Sequence, residues 1–332
     1  MHPVLELIIE RTKQGSRPGV REDAYKLGLA IEGGGMRGVV SAGMVSALEQ
    51  LGLLNAFDIV CGTSAGAING AYFVARQAAY GTTIYYDCIN NDRFISFRRT
   101  FSSDPVMSLE FLLYHVMVRE RVLDWKAVVS SPIPLKVVVS SLNHLSAVVL
   151  DGFHSRDELL EAFRATARIP LIAGPPVQSN GDQFLDGGIY ESFPFQTAID
   201  NGCTHVLTLL TRPAGKLRCK PSSFDKSVVA RALARVNPGI ARAYLMRPAK
   251  YCADVKRLEI ESEHPSGPPY LFAVRPPETT PEVARLEKGR DKLLAGAASG
   301  MRAILSALSG SDASMIEVLR PFDESGRERK LL

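Results

Sequence analysis

No stretch of this sequence approaches the run of about 20 apolar residues that a membrane-spanning helix needs, which excludes such a span. The N-terminal MHPVLELIIERTKQGSRPGVRED holds only a short apolar run between charges. It lacks the long apolar region and small-residue cleavage site of a secretory signal. Cysteine is scarce: Cys61, Cys88, Cys203, Cys219 and Cys252 make no CxxC and no paired spacing, a pattern that favours reduced thiols over a disulfide framework. From these absences the expected location is the cytoplasm. No group of residues with metal-ligand spacing is visible, so neither a metal, a calcium requirement nor any other cofactor is expected. Of the histidines (His2, His115, His144, His154, His205 and His264), none stands in a recognisable catalytic context. There is no internal repeat.

The 332 residues, 46% of them hydrophobic and 22% charged, suffice for one large domain or two modest ones with ample core. The net charge of +4 is unevenly spread. From Arg212 to Arg257 twelve basic residues face only Asp225 and Asp254, a net +10 that leaves −6 on the remainder. Such asymmetry suggests a surface for polyanions, either nucleic acid or anionic lipid headgroups.

Strand and helix patterns alternate. LGLAIE (27–32) reads as a short buried strand. After GGGMRG, the spacing of Val40, Met44, Ala47 and Leu48 predicts a helix that Gly52 stops. FDIVC reads as a second strand and SAGAINGAYFVARQAA as a second helix, and 107–130 is helical in a less regular way. PIPLKVVVSSL and SAVVLDG read as two strands, and Ser155 with Glu158 three residues on signals a capped helix start. A strand near QFLDGG, a helix near FQTAIDNG and the strand THVLTLL follow. Residues 222–257 are helical and basic, PYLFAVRP is a last strand, and PEVARLEKGRDKLLAGAASGMRAILSAL reads as one long helix with Pro281 at its start. The tail FDESGRERKLL reads as frayed. The alternation implies an α/β sandwich.

Three readings are open for Gly33-Gly34-Gly35-Met36-Arg37-Gly38, which joins a strand to a helix. It can be a tight turn that needs glycine. It can bind a dinucleotide, since Gly33, Gly35 and Gly38 spell GxGxxG. That reading wants a carboxylate at the far end of the second strand, whereas Asp58 stands at its near end, which weakens it. Or the run is an oxyanion hole, with bare backbone amides at the positive end of a helix dipole.

Gly62-Thr63-Ser64-Ala65-Gly66 matches G-x-S-x-G, the elbow that presents a nucleophile where a strand turns into a helix. The pattern is permissive, and Ser64 as a mere packing residue stays open. In a parallel sheet this turn and the glycine run lie at the same edge, so oxyanion donors and nucleophile could meet. Serine needs a base. Asp186, followed by Gly187-Gly188 after a short apolar strand, is a candidate, although Asp-Gly-Gly alone is most often just a turn.

Taken in order, these motifs resemble the patatin-like phospholipase family of lipid acyl hydrolases. Its G-G-G-x-[RK]-G loop, G-x-S-x-G elbow and D-G-[GA] aspartate correspond to Gly33–Gly38, Gly62–Gly66 and Asp186–Gly188, and Ala165-Thr166-Ala167-Arg168-Ile169-Pro170 resembles a further block. The resemblance covers roughly 27–212. It implies a three-layer α/β/α sandwich with a largely parallel central sheet, preceded by an N-terminal extension (1–26) and followed by a basic helical region with a final strand and helix (213–332) on the same domain. It also implies a Ser–Asp dyad of Ser64 and Asp186, with Gly33, Gly34, Gly35, Arg37 and Gly38 forming the oxyanion loop. Arg37 is expected to support that loop structurally. An unperturbed carboxylate is a weak base toward a hydroxyl, so Asp186 is expected to be shielded from water and raised in pKa. The implied partner is an acyl-lipid substrate, with peripheral contact to an anionic membrane and no nucleic acid.

Two further features bear on lipid. In RFISFRRTF, Phe94, Ile95, Phe97 and Phe101 alternate with Arg93, Arg98 and Arg99, which suits a lipid–water interface or ordinary core packing. Val229, Leu233 and Val236 share one helical face with Arg231 and Arg235 opposite, until Pro238 breaks the pattern. That face reads equally as membrane-lying or core-facing. A Ser–His–Asp esterase using Ser64, Asp186 and His264 also remains open.

Overall fold

Strands β1 (Leu27–Ile31) and β2 (Ile59–Thr63) are buried at every position, as strands covered on both faces must be. The structure, a computed structural model, describes residues 1–102, 104–179 and 181–309. The chain opens with α1 (Pro3–Lys13) and runs through β1, α2 (Val39–Gln50), β2, α3 (Ala65–Val74) and α4 (Ala78–Thr82). A π-helical segment (Phe111–Glu120) and α5 (Trp125–Val129) lead to β3 (Leu135–Ser141) and β4 (Ala147–Leu150). Next come α6 (Arg156–Thr166), β5 (Val177–Ser179), β6 (Asp182–Asp186), α7 (Phe195–Asp200) and β7 (His205–Leu209). Then follow α8 (Ala230–Val236), α9 (Pro238–Glu263), β8 (Tyr270–Val274) and α10 (Arg290–Ser309). The tail that reads as frayed lies outside the described residues.

One sheet holds the strands in the order β5-β6-β3-β2-β1-β7-β8, with β4 also on β3. The run β3-β2-β1-β7-β8 is parallel, while β4 and β6 pair with β3 antiparallel. Alternate side chains leave opposite faces. Leu29, Ile31, Val60 and Leu207 pack with α2, α3 and α10, and Ala30, Ile59, Cys61 and Val206 pack with α7 and α9. The result is the expected three-layer α/β sandwich. The strand PYLFAVRP is β8, paired in parallel with β7, so the C-terminal segment extends the same sheet.

Residues 1–26 are tied to the start of the parallel strands. Val4, Leu5, Leu7, Ile8 and Ile9 of α1 are buried. Arg11, only 1% exposed, meets Asp23 and Asp58 at 2.7 Å each and donates to the carbonyls of Ala56 and Tyr25. Arg21 reaches the other oxygen of Asp58 at 2.8 Å, and Asp58 also accepts the Leu27 amide. Both oxygens of Asp58 are directed at this anchor, so it is not a ribose ligand.

Two expectations need correction, and one open reading is decided. The helix expected from Pro281 begins at Arg290. Residues 281–289 run instead as a loop in which Glu282 meets Arg212 at 2.6 Å, Val283 is buried and the Arg285 carbonyl accepts the Met36 amide at 3.0 Å. These tertiary bonds outweigh the local preference for a helical turn. The Glu287 carboxylate then takes the amides of Lys288 and Gly289, just ahead of α10. The expectation of five reduced thiols also fails, because Cys219 and Cys252 form a disulfide. Their 33-residue separation leaves no spacing signature, since the bond depends on proximity in the fold. Of the apolar face predicted on α8, Val229 and Leu233 pack into the core with Ile240 and Tyr244, whereas Val236 is exposed. Most of that face therefore packs against the protein.

Candidate active site

Ser64 sits where β2 turns into α3, with φ 55° and ψ −129°. A non-glycine residue in that region costs about 1–3 kcal/mol, so the surroundings must hold it there. They do so by close packing and by one specific bond. A Cβ at Gly62 would stand 2.4 Å from Cα of Ala67, and one at Gly66 would stand 2.2 Å from the Ile31 carbonyl, so both flanks of the elbow have to be glycine. The Ser64 amide donates to Thr166 Oγ1 at 2.8 Å, and that hydroxyl donates to the Val138 carbonyl at 2.5 Å.

Asp186 reaches the same place from two strands away. Thr63 is level with Val138 in the β2–β3 register, and Val139 is level with Asp186 in the β3–β6 register. Ser64 and Asp186 thus lie at one height on either side of β3, about 10 Å apart at the backbone, and both line the same cavity. Asp186 Oδ1 accepts the Gly188 amide at 2.8 Å across the Gly187-Gly188 turn. Burial raises the carboxyl pKa; the Ser64 hydroxyl, the Gly188 amide and the charges of Arg285 and Arg247 pull the other way.

The glycine run follows β1, the strand beside β2. The β1–β2 register pairs Ile31 with Gly62, so Gly33 stands next to Ser64. Gly34 and Gly35 have φ of 137° and 61°, a conformation that favours glycine. Among the described residues the amides of Gly34 and Gly35 have no protein acceptor, whereas those of Met36 and Arg37 are used by Arg285 and Gly34 carbonyls. The Arg37 side chain lies behind Gly34, with Nε donating to Thr211 Oγ1 at 3.0 Å. Gly38 is packed against Ala65 and Tyr85, and its carbonyl accepts from Asn69.

Two cavities meet at Ser64. One is a narrow apolar cleft lined by Met36, Ile68, Ile84, Phe94, Met107 and Leu112. Its free volume is only about 30 Å³, well below the ~300 Å³ at which ligand pockets begin. Two flexible methionines in its wall make it deformable. The other, about 510 Å³, is lined by Asp186, the glycine loop and several cations. Of these cations, Arg212, Arg218 and Arg37 surround Glu282 at 2.6, 3.3 and 3.8 Å. Arg247 and Arg285 have no carboxylate within ion-pair reach among the described residues. The Arg247 guanidinium lies 4.3 Å from the centre of the Tyr244 ring. Burial, then the charges of Arg247 and Arg37, lower the pKa of Arg285 to about 10.

The fold therefore brings Ser64, Asp186, Gly187, Gly188 and the glycine loop together. It brings no histidine to either cavity among the described residues. His205 is buried at the start of β7, where burial lowers its pKa to about 4, and His264 follows α9. Phe94 and Ile95 are buried, while Phe97 and Phe101 are 57% and 94% exposed. Sequence reasoning quoted Thr166 only within the Ala165–Pro170 block, with no role of its own, and missed Arg247 and Arg285 as site residues. Arg247 had one local signal, Pro248 inside a helical run, a breach of helix rules of the kind that marks functional positions.

Known proteins resemble this chain in sequence and in fold. The family described as Patatin-like phospholipase matches residues 29–199. The uncharacterized protein YjjU of Escherichia coli is 27% identical over 203 residues, 57% of this chain and 53% of that protein. Lysophospholipase NTE1 of Cryptococcus neoformans is 26% identical over 189 residues, 55% of this chain but 11% of that protein. The chain thus spans about half the length of the first relative and about a tenth of the second. Human GIVD cytosolic phospholipase A2, solved in complex with methyl gamma-linolenyl fluorophosphonate, shares the fold at a TM-score of 0.51 and 12% identity, over 96% of this chain and 62% of that one.

Proposed function

Since the chain belongs to the patatin-like phospholipase family, we propose that it is a lipid acyl hydrolase in which Ser64 attacks the ester and Asp186 takes the proton. The observation that carries this reading is the meeting of a strained Ser64, a half-buried Asp186 and unpaired glycine amides at one sheet edge. Ser64 Oγ bonds to the acyl carbon as its proton passes to Asp186. The amides of Gly34 and Gly35 hold the resulting oxyanion, and Arg37 and Gly38 keep the loop in shape. On collapse the ester C–O bond breaks, and the departing alcohol takes the proton from Asp186. Water then attacks the acyl-enzyme, giving one proton to Asp186, which returns it to Ser64 as the fatty acid leaves.

The raised pKa of Asp186 supports its role, because a base near the working pH is more effective than an ordinary carboxylate. The apolar cleft is suited to the acyl chain once it widens. A histidine-dependent esterase and a nucleotide enzyme lack such support, given the absence of histidine from the cavities among the described residues and the engagement of Asp58 at the other end of the sheet. Peripheral membrane contact is part of the reading: Phe97 and Phe101 are exposed beside Arg98 and Arg99, close in sequence to Phe94 in the cleft. The cytoplasmic location is not, because the Cys219–Cys252 bond removes its cysteine argument and fits an oxidising compartment better. The test is hydrolysis of a panel of acyl-lipid esters by wild type, Ser64→Ala and Asp186→Asn. Both variants should lose at least about 10⁴-fold in kcat; rates equal to wild type would remove the proposed site.

A further inference from the structure

The two halves of an ester bound at Ser64 must go in different directions. The acyl chain suits the apolar cleft, which leaves the alcohol half to the second cavity. That cavity is cationic in a specific way. Arg37, Arg212 and Arg218 gather round Glu282, so their charge is answered. Arg247 and Arg285 have no ion pair among the described residues; among the acids that share the cavity with them are Asp186, and Asp225, which Tyr244 and Ser222 already hydrogen-bond. Two half-buried guanidiniums that repel each other are unfavourable in the empty protein, and a bound anion would relieve that cost.

Both arginines are fixed. The Arg285 backbone is pinned where its carbonyl accepts the Met36 amide at 3.0 Å, and its side chain abuts Gly35. Arg247 precedes Pro248 in α9 and stacks on Tyr244, whose hydroxyl donates to Asp225 at 2.8 Å. Lys220 and Ser222 line the same cavity, on a loop tied to α9 by the Cys219–Cys252 bond. One guanidinium fork satisfies a carboxylate; two forks over one cavity match the two or three free oxygens of a phosphate.

We propose that Arg247 and Arg285 form a subsite for a phosphate group on the alcohol half of the ester, so that this chain selects acyl esters of phosphorylated alcohols over neutral glycerides. The proposal rests on the acyl hydrolase reading and adds to it a pair of residues that lie beyond the segment matched by the family.

The test has a catalytic arm and a binding arm. In the first, kcat/KM is measured for 1-octanoylglycerol 3-phosphate and for 1-octanoylglycerol, both below their aggregation concentrations so that interfacial charge does not enter. The wild type should prefer the phosphorylated ester. The ratio of the two should fall about tenfold or more in Arg247→Gln and in Arg285→Gln. Arg247→Lys should restore part of it, since charge returns without the fork. A wild-type preference for the neutral ester, or a ratio unchanged in both variants, overturns the proposal while leaving the hydrolase intact. In the second arm, calorimetry follows glycerol 3-phosphate, inorganic phosphate and glycerol binding to the full chain, with thermal melts confirming that each variant is folded. Glycerol 3-phosphate should bind, glycerol should not, and Arg247→Gln/Arg285→Gln should weaken binding at least about tenfold. Inorganic phosphate binding as tightly as glycerol 3-phosphate overturns the substrate assignment in favour of a free-phosphate site, and no phosphate binding in wild type overturns the subsite. The binding arm decides for or against the subsite even if no ester is hydrolysed, an outcome that would count against the hydrolase reading alone.

Discussion

The two ends of the central sheet handle buried charge in opposite ways. At the start of β1 and β2, Arg11 and Arg21 meet Asp23 and Asp58, and nearby carbonyls take their remaining protons. At the far end, Arg247 and Arg285 share with Asp186 and Asp225 a cavity that offers them no ion-paired carboxylate among the described residues. The first arrangement is self-contained and holds the N-terminal segment to the sheet. The second is incomplete without another molecule. Completeness of pairing, more than burial or charge count, separates structural arginines from those directed at a ligand.

Substitution should expose this contrast. The largest effect is expected from Arg11→Met, which strands Asp23 and Asp58 and should cost about 3–5 kcal/mol of unfolding free energy by denaturant titration. The folded fraction should keep its ester kinetics. A loss under about 1 kcal/mol would show that the cluster is not the anchor described.

Next is Gly35→Ala. Its Cβ would stand 2.7 Å from the Arg285 carbonyl, so the loop must shift and the oxyanion donors with it. A fall in kcat of about 10²–10³ is expected, read by steady-state kinetics, and unaltered kcat would exclude Gly35 from the oxyanion loop.

Smallest in stability is Arg285→Gln, which should change unfolding free energy by less than about 1 kcal/mol, because no ion pair is broken and a repulsion is removed. Its signature lies in pH. Asp186 acts as a base only when ionised, so activity on an uncharged ester falls as pH drops through its raised pKa. Arg285 lowers that pKa, so removing its charge should move the acid limb upward. A downward shift contradicts the arrangement.

What could be read from the sequence follows the range of the interactions involved. The glycine run and the elbow are local demands: a positive φ at Gly34 and Gly35 and close contacts at Gly62 and Gly66 restrict the residue type at each position. The buried strands and the Ser155 cap, whose hydroxyl accepts the Glu158 amide at 3.2 Å, are local too. Arg247 and Arg285 arrive from 183 and 221 residues beyond Ser64 along the chain, and nothing around them announces the destination. Pro281 misled because proline signals a helix start only where no tertiary bond competes, and here Glu282 and the Arg285 carbonyl are already engaged. The Cys219–Cys252 pair escaped for the same reason of distance.

The central claim is that Ser64 is a nucleophile driven by Asp186. Its most direct test is the site and rate of covalent labelling by an alkyl fluorophosphonate, followed by peptide mass spectrometry. The account predicts one adduct on Ser64 in the wild type, none in Ser64→Ala, and labelling of folded Asp186→Asn slowed at least about 100-fold. An adduct on another residue, or equal labelling rates in wild type and Asp186→Asn, would contradict it.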